Sequence, residues 1–452
     1  MFKQDNRSDT EMSLERFFAF IVSIFLLCCC AKGTRIKGNA MNDTIHYRNL
    51  NASELGIQPN SSYIISSELN LEGKNLVLPN SVTLDFQGGH ICNGKVTGNN
   101  TKIENSNGNV IFNKVRIDGT WIVPNIRTSM FDDLEQTNSL RNVFALASPS
   151  VSNTIYIEKG DYFLTAIKNK DVCLAVCSNT TLIIDGNIRL SANNYPRYDI
   201  LRVKGENIVI TGKGSIVGDK KEHTGTEGEW GMGIRFHQAV NSSVSGLTIK
   251  NCWGDCIYVG GNSKNVTIEG CTIDGGRRQG ISITKADCVT VRKCEISNVS
   301  GTKPEYAIDI EPNQGDTVNH VMIENVKIQD CKGGILSTKG NKDGRGKDSY
   351  IGSVVVRDCK ISTNEKYPIR LRRCENATVE RCHIYSTNDN PSIFVSEIND
   401  VVVRDNIINL DKKIMASVKN IAKEVIGKNE YKSINASKNI KKEIYKNRVF
   451  YY

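Results

Sequence analysis

Proline is scarce, at 9 of 452 residues, and nowhere clusters into a stretch that would separate two independent domains. The chain also lacks an apolar run long enough to span a bilayer. Its longest, Phe17–Leu27, is eleven residues, against the roughly 20 that a membrane helix needs. Cys173/Cys177 and Cys252/Cys256 lack the second pair that a structural zinc site would require. Nor are aromatic residues interleaved with the basic ones. The net charge of +9 is concentrated at the end, where residues 411–452 hold ten Lys and one Arg against one Asp and three Glu. The rest of the chain is close to neutral, so nucleic acid is not expected as a partner.

What is present is repetition. From residue 242 onward one segment recurs as SSVSGLTI (242–249), VTIEGCTI (266–273), VTVRKCEI (289–296), VMIENVKI (321–328), VVVRDCKI (354–361), ATVERCHI (377–384) and VVVRDNII (401–408). Apolar and polar residues alternate within it, as in a strand with one face buried. A period of 22–24 residues with occasional insertions is that of a parallel β-helix. The expected fold is therefore all-β, a right-handed single-stranded parallel β-helix over 44–410, interrupted near 124–150 where SMFDDLEQTNSLRNVFALA suits a helix. Residues 411–452 then form a basic C-terminal cap or tail.

The sixth position of the repeat holds Leu247, Cys271, Cys294, Val326, Cys359, Cys382 and Asn406. Stacked about 4.8 Å apart, these residues make an internal ladder in which cysteine acts as a small apolar residue. Most cysteines are thus expected as buried thiols, without disulfides.

The apolar run Phe17–Leu27 has the length of a signal-peptide core, and Met12 is a plausible start in front of it. It leads into Cys28-Cys29-Cys30-Ala31, which resembles a bacterial lipobox, with Cys29 or Cys30 as the lipidated residue. Residues 1–30 are therefore expected as a signal peptide. The mature chain would be a lipid-anchored protein of the outer membrane, cell surface or periplasm, or, if merely cleaved, a secreted one.

A second strand recurs as GIRFH (233–237), CIYVG (256–260), GISIT (280–284), AIDIE (307–311), GILST (334–338) and PIRLR (368–372). Its outward positions read Arg235/His237, Tyr258/Gly260, Ser282/Thr284, Asp309/Glu311, Leu336/Thr338 and Arg370/Arg372. Immediately before the strand, Asp255, Gln279 and Tyr306 share a column, and a loop at 218–233 brings His223, Glu227, Glu229 and Trp230 to the same face. Glycosidic cleavage takes two carboxyl groups, and Asp255, Asp309 and Glu311 are the candidates. Trp230, His237, Tyr258, Arg277, Arg278, Gln279, Tyr306, Arg370 and Arg372 are the candidate substrate contacts. Arginines clamp uronate or sulfate, and aromatic rings stack on sugars. Each residue also has a plainer role open to it, as a charge ladder for Asp309 and Glu311 or turn chemistry for Asp255.

TIYIEKGDYFL, NTTLIIDG, GDCIYVGG and RRQGISIT, with the coils that follow, resemble the pectin-lyase-like superfamily over residues 150–410. The likeness is to its polygalacturonase-like glycoside hydrolases and to the β-helix group found in phage depolymerases. In those hydrolases one segment reads GDDC, the next coil GHGIS, and a later one Arg-x-Lys. This chain keeps Asp255 of the first, has Gln279 in place of the His, and carries Asp309-x-Glu311 in place of the last. The resemblance implies a polysaccharide substrate and, for a hydrolase, no cofactor or metal. A lyase or uronate epimerase, with Tyr306 or an Arg as base and calcium on the acidic pair, is the alternative. A non-catalytic glycan-binding surface protein is the other.

Overall fold

The computed structural model describes residues 56–409, apart from 105–107, 134, 169 and 340–347, together with short strands at 48–49, 414–417, 423–426, 430–432, 442–445 and 448–451. The signal segment and the lipobox cysteines lie outside the described residues. From residue 125 to 432 the chain winds as a right-handed parallel β-helix, each coil adding one strand to each of three faces. The repeated octet lies in register as expected: Ser242, Val266, Val289, Val321, Val354, Ala377 and Val401 stack on one another.

The octet is not one strand, however. It is two strands on two faces, such as Ser263–Glu269 and Thr272–Asp274. Its fifth residue makes the corner in the left-handed region, at Gly246, Gly270, Lys293, Asn325, Asp358, Arg381 and Asp405. Polarity alternates straight through such a corner, so the pattern alone does not reveal it. The sixth residue then points inward, and Cys271, Cys294, Cys359 and Cys382 are buried. All twelve cysteines of the described residues are free thiols. Asn406 ends the ladder by accepting from the Cys382 N–H at 2.9 Å and donating to the Val379 carbonyl at 3.0 Å.

A second inward column, Ile234, Ile257, Ile281, Ile308, Ile335, Ile369 and Ile393, is fully buried. Each such side chain contributes about 1.5–3 kcal/mol, and the stack holds the strands that carry the site. Upstream, residues 48–132 form a separate sheet. The helix Gln136–Ala145 follows it, and Asn142 of that helix satisfies both Val115 and Ile117 of the sheet's last long strand. At the far end, Arg448–Tyr451 pairs antiparallel with Ile414–Ser417 and with Lys442–Tyr445.

Candidate active site

Three strands place the acidic residues. In Trp230–Ser245, Ile257–Gly260 and Tyr306–Ile310, the residues between the inward isoleucines face out of the core. Register stacks Arg202, Arg235, Tyr258, Ser282, Asp309, Leu336 and Arg370 in one outward column. The neighbouring column runs Asp199, Met232, Asp255, Gln279 and Tyr306, three residues earlier in each coil. An open cavity of about 170 Å³ lies on these columns, lined among others by Arg197, Trp230, Arg235, Arg278, Asp309 and Glu311. It is smaller than the roughly 300–1,000 Å³ of sites that enclose a whole small molecule, as suits one subsite along an extended chain.

Asp309 is buried although it is among the residues that line the cavity. Gln279 Nε2 donates to Asp309 Oδ2 at 2.5 Å, while Gln279 Oε1 accepts from the Tyr306 N–H at 2.8 Å. A backbone N–H can only donate, so the amide orientation is fixed. Asp309 Oδ1 has no hydrogen-bond partner among the described residues. Burial, then the charge of Glu311, pushes the Asp309 carboxyl well above the usual carboxylate range, against the pull of Arg278. Glu311, two residues on, is the more solvated member of the pair.

Arg278 is the hub. Its guanidinium lies 3.2 Å from Asp255 Oδ2, 3.6 Å from Glu229 and 3.8 Å from Glu311. Asp255 is fully buried behind it and also accepts from the Ser282 hydroxyl at 2.7 Å. Burial raises its carboxyl to about 6, with Glu229 adding to the rise and Arg278 and Ser282 opposing it. The loop carrying Glu229 and Trp230 is pinned from beneath. Asp219 accepts from the Tyr198 hydroxyl and from Asn193 Nδ2, and its Oδ2 lies 2.8 Å from His223 Nδ1. The His223 ring stacks on Trp253 at 3.8 Å, and Arg277 lies over the same indole at 3.6 Å.

The profile of the right-handed β-helix region matches residues 197–346 and 318–437, more than half of the chain. The chain belongs to the right-handed β-helix family. Its relatives include the uncharacterized protein YclG of Bacillus subtilis, 29% identical over 246 residues, covering 47% of this chain and 42% of that one. YorA, an SPbeta prophage-derived uncharacterized protein of the same organism, is 25% identical over 260 residues, covering 49% and 44%. The chain thus spans less than half the length of these curated relatives. Among solved structures, the exopolygalacturonase of Thermotoga maritima superposes with a TM-score of 0.43 at 12% identity, covering 67% of this chain and 91% of that one.

Within this β-helix family member, the residues singled out from sequence fall into two groups. Asp309, Glu311, Arg278, Trp230 and Tyr258 come together on the cavity. The others do not line it. Asp255 stands one layer behind, because Arg278 and Ser282 cover it. Gln279 is fully buried and holds Asp309 rather than facing outward. Tyr306 is buried, and burial pushes its hydroxyl up to about 12 against the influence of Arg370. Arg277 is spent on Trp253 and the Gly228 carbonyl. Arg370 lies over Tyr367 and Phe394, and Arg372 pairs with Glu397 at 2.6 Å. His237 is half-buried with its Nδ1 unpartnered, and burial and then Arg235 hold its pKa down.

Sequence reading passed over Arg197, Arg235 and Asp199. Asp199 is buried between Arg202 and Arg235, and Arg197 stands in register with Trp230. Extending the coil alignment one turn back, to RYDILRVKG (197–205), would have brought out Arg197 and Asp199, while Arg235 already stood in the outward column without being counted as a contact.

Proposed function

We propose that this chain is an exported carbohydrate-active enzyme that cleaves an acidic polysaccharide by glycoside hydrolysis. One observation carries the reading: a buried carboxyl, Asp309, lines the cavity two residues from a more solvated one, Glu311, along the same strand direction, and burial raises the former. Residues two apart on one face of a strand stand about 7 Å apart, within the span of about 6.5–9.5 Å that leaves room for a water in an inverting hydrolase.

The step balances as follows. Asp309 gives its proton to the glycosidic oxygen as the bond from that oxygen to the anomeric carbon breaks. Glu311 takes a proton from water as the water oxygen bonds to that carbon from the opposite side. Arg278 pairs with Glu311 at 3.8 Å. Trp230, 47% exposed at the rim, offers a stacking face to a sugar ring. Arg197 and Arg235 also line the cavity, Arg235 three coils before Asp309 in the same column, and suit an anionic substituent on the glycan. Elimination with Tyr306 as its base is disfavoured, because Tyr306 is buried with its hydroxyl at about 12.

The segment Phe17–Leu27 with Cys29 or Cys30 supports export and lipid anchoring, at the cell surface, outer membrane or periplasm.

Incubation of the protein with a panel of acidic polysaccharides tests the reading. New reducing ends without the ultraviolet absorbance of unsaturated sugars are expected, and Asp309→Asn should remove them. Unsaturated products would replace it with a lyase. Binding without turnover on every glycan would replace it with a glycan-binding protein.

A further inference from the structure

Beyond the cavity, each coil turns a corner through a residue in the left-handed region. Successive coils place Asn179, Asn207, Asn241, Asn265, Cys288 and His320 there, with φ of 57°, 56°, 47°, 53°, 55° and 48°. Asparagine suits this conformation because its short amide bonds locally. It also links rungs: Asn207 donates to Asn179 at 3.2 Å, and Asn265 to Asn241 at 2.8 Å. The next two rungs abandon the amide. Cys288 gains nothing by burial, since it is the exposed thiol among described cysteines that are otherwise buried or, for Cys177, half-buried.

A third donor joins these two. Asp287 Oδ1 lies 2.8 Å from His320 Nδ1 and accepts from the Cys288 thiol at 3.6 Å. Ligand atoms of all three residues lie within 4.8 Å of one another. We propose that Asp287, Cys288 and His320 form a binding site for a divalent transition-metal ion of the zinc class, joining two successive coils.

The donor set selects the ion. Thiolate, imidazole and carboxylate together suit zinc or cobalt rather than calcium or magnesium. Bond lengths of about 2.0–2.3 Å at tetrahedral angles require donors about 3.3–3.6 Å apart. The present spacing closes to that by side-chain rotation, which the exposed Cys288 and His320 are free to make. Three protein donors leave the fourth position to water. The sulfur–metal bond forms as the thiol proton passes to solvent. The site is independent of Asp309 and Glu311, and its reading does not rest on the proposed hydrolysis.

Cobalt(II) titration of the reduced full-length protein tests it. One equivalent should give the near-ultraviolet thiolate charge-transfer band and tetrahedral ligand-field bands. Cys288→Asn, which restores the amide ladder and suits the local backbone, should abolish the charge-transfer band while leaving the circular dichroism spectrum unchanged. His320→Asn should weaken cobalt binding at least about tenfold, so either variant suffices if the other folds poorly. Absence of the band in the unaltered protein overturns the proposal. So does a band undiminished in both variants, which would assign it to other thiols.

Discussion

Gln279 donates its side-chain amide to Asp309 Oδ2 and leaves Oδ1, itself buried, without a hydrogen-bond partner among the described residues. That asymmetry decides where a proton sits. Oδ2 is already accepting, so a proton on this carboxyl belongs on Oδ1, the oxygen that no described residue engages. The Tyr306 N–H fixes the amide in this sense, and backbone register fixes Tyr306 beside Gln279. Gln279 is thus a positioning residue.

Replacing Gln279 by Leu should lower kcat at least about tenfold, about 1.4 kcal/mol and the scale of one lost hydrogen bond, with KM unchanged. A donor to a carboxyl oxygen favours the ionised form, so its loss should also move the alkaline limb of the pH–rate profile to higher pH. A raised KM with an unmoved limb would instead make Gln279 a substrate contact.

Much of this was legible in the sequence. The octets and the second strand gave coil register residue by residue, because a one-residue slip would turn every isoleucine out of the core. The cysteine ladder followed from the same register. What the alternation does not reveal is which outward residues something else then covers. Asp255 and Asp309 read alike as outward acids, yet Arg278 reaches back over Asp255 and not over Asp309. The covering loop at 218–230 has no periodicity, and its anchors, Asp219, His223 and Tyr198, meet across 21 residues of sequence. Cys288 and His320 are equally hidden, since only the coil register brings them together.

Asp255 makes stability depend on pH. Its carboxyl rises from 3.8 to about 6 on folding, so between those values the folded state holds a proton that the unfolded chain has lost. Stability from this group is present below pH 4 and falls by at most about 3 kcal/mol as pH rises past 6. Urea unfolding across pH 4–7 should show a steeper fall in the protein than in Asp255→Asn, the difference between the two curves changing by at most about 3 kcal/mol. Parallel curves would remove Asp255 as its source. Loss of the Arg278 counter-charge changes the level of the variant's curve rather than this slope.

Trp230 makes binding visible. Of the three tryptophans, Trp121 and Trp253 are buried and Trp230 is 47% exposed at the cavity rim. A bound oligosaccharide should shift tryptophan emission to the blue and protect it from acrylamide. Trp230→Phe should lose both responses and raise KM about 5- to 30-fold, for a stacking contact of about 1–2 kcal/mol. A response that persists in Trp230→Phe would place the sugar elsewhere.

Glu305 anchors the strand that presents Asp309. It accepts from the Gly301 N–H at 2.8 Å and pairs with Lys332 at 3.0 Å and Lys366 at 2.7 Å, residues of the two following coils. Burial pushes its carboxyl up, but Lys366, the Gly301 N–H and Lys332 outweigh that and hold it at about 2. A lowered carboxyl stabilises the fold above its unfolded value near 4.5, and that stability is lost as pH falls towards 2. Both lysines are partly solvated, which screens the pairs, so Glu305→Gln should cost about 2 kcal/mol at pH 7. The cost should shrink towards zero below about pH 3, where the unaltered protein has given up most of the same advantage. Equal losses at the two pH values would mean that packing in the turn, rather than the charge of Glu305, holds the strand in place.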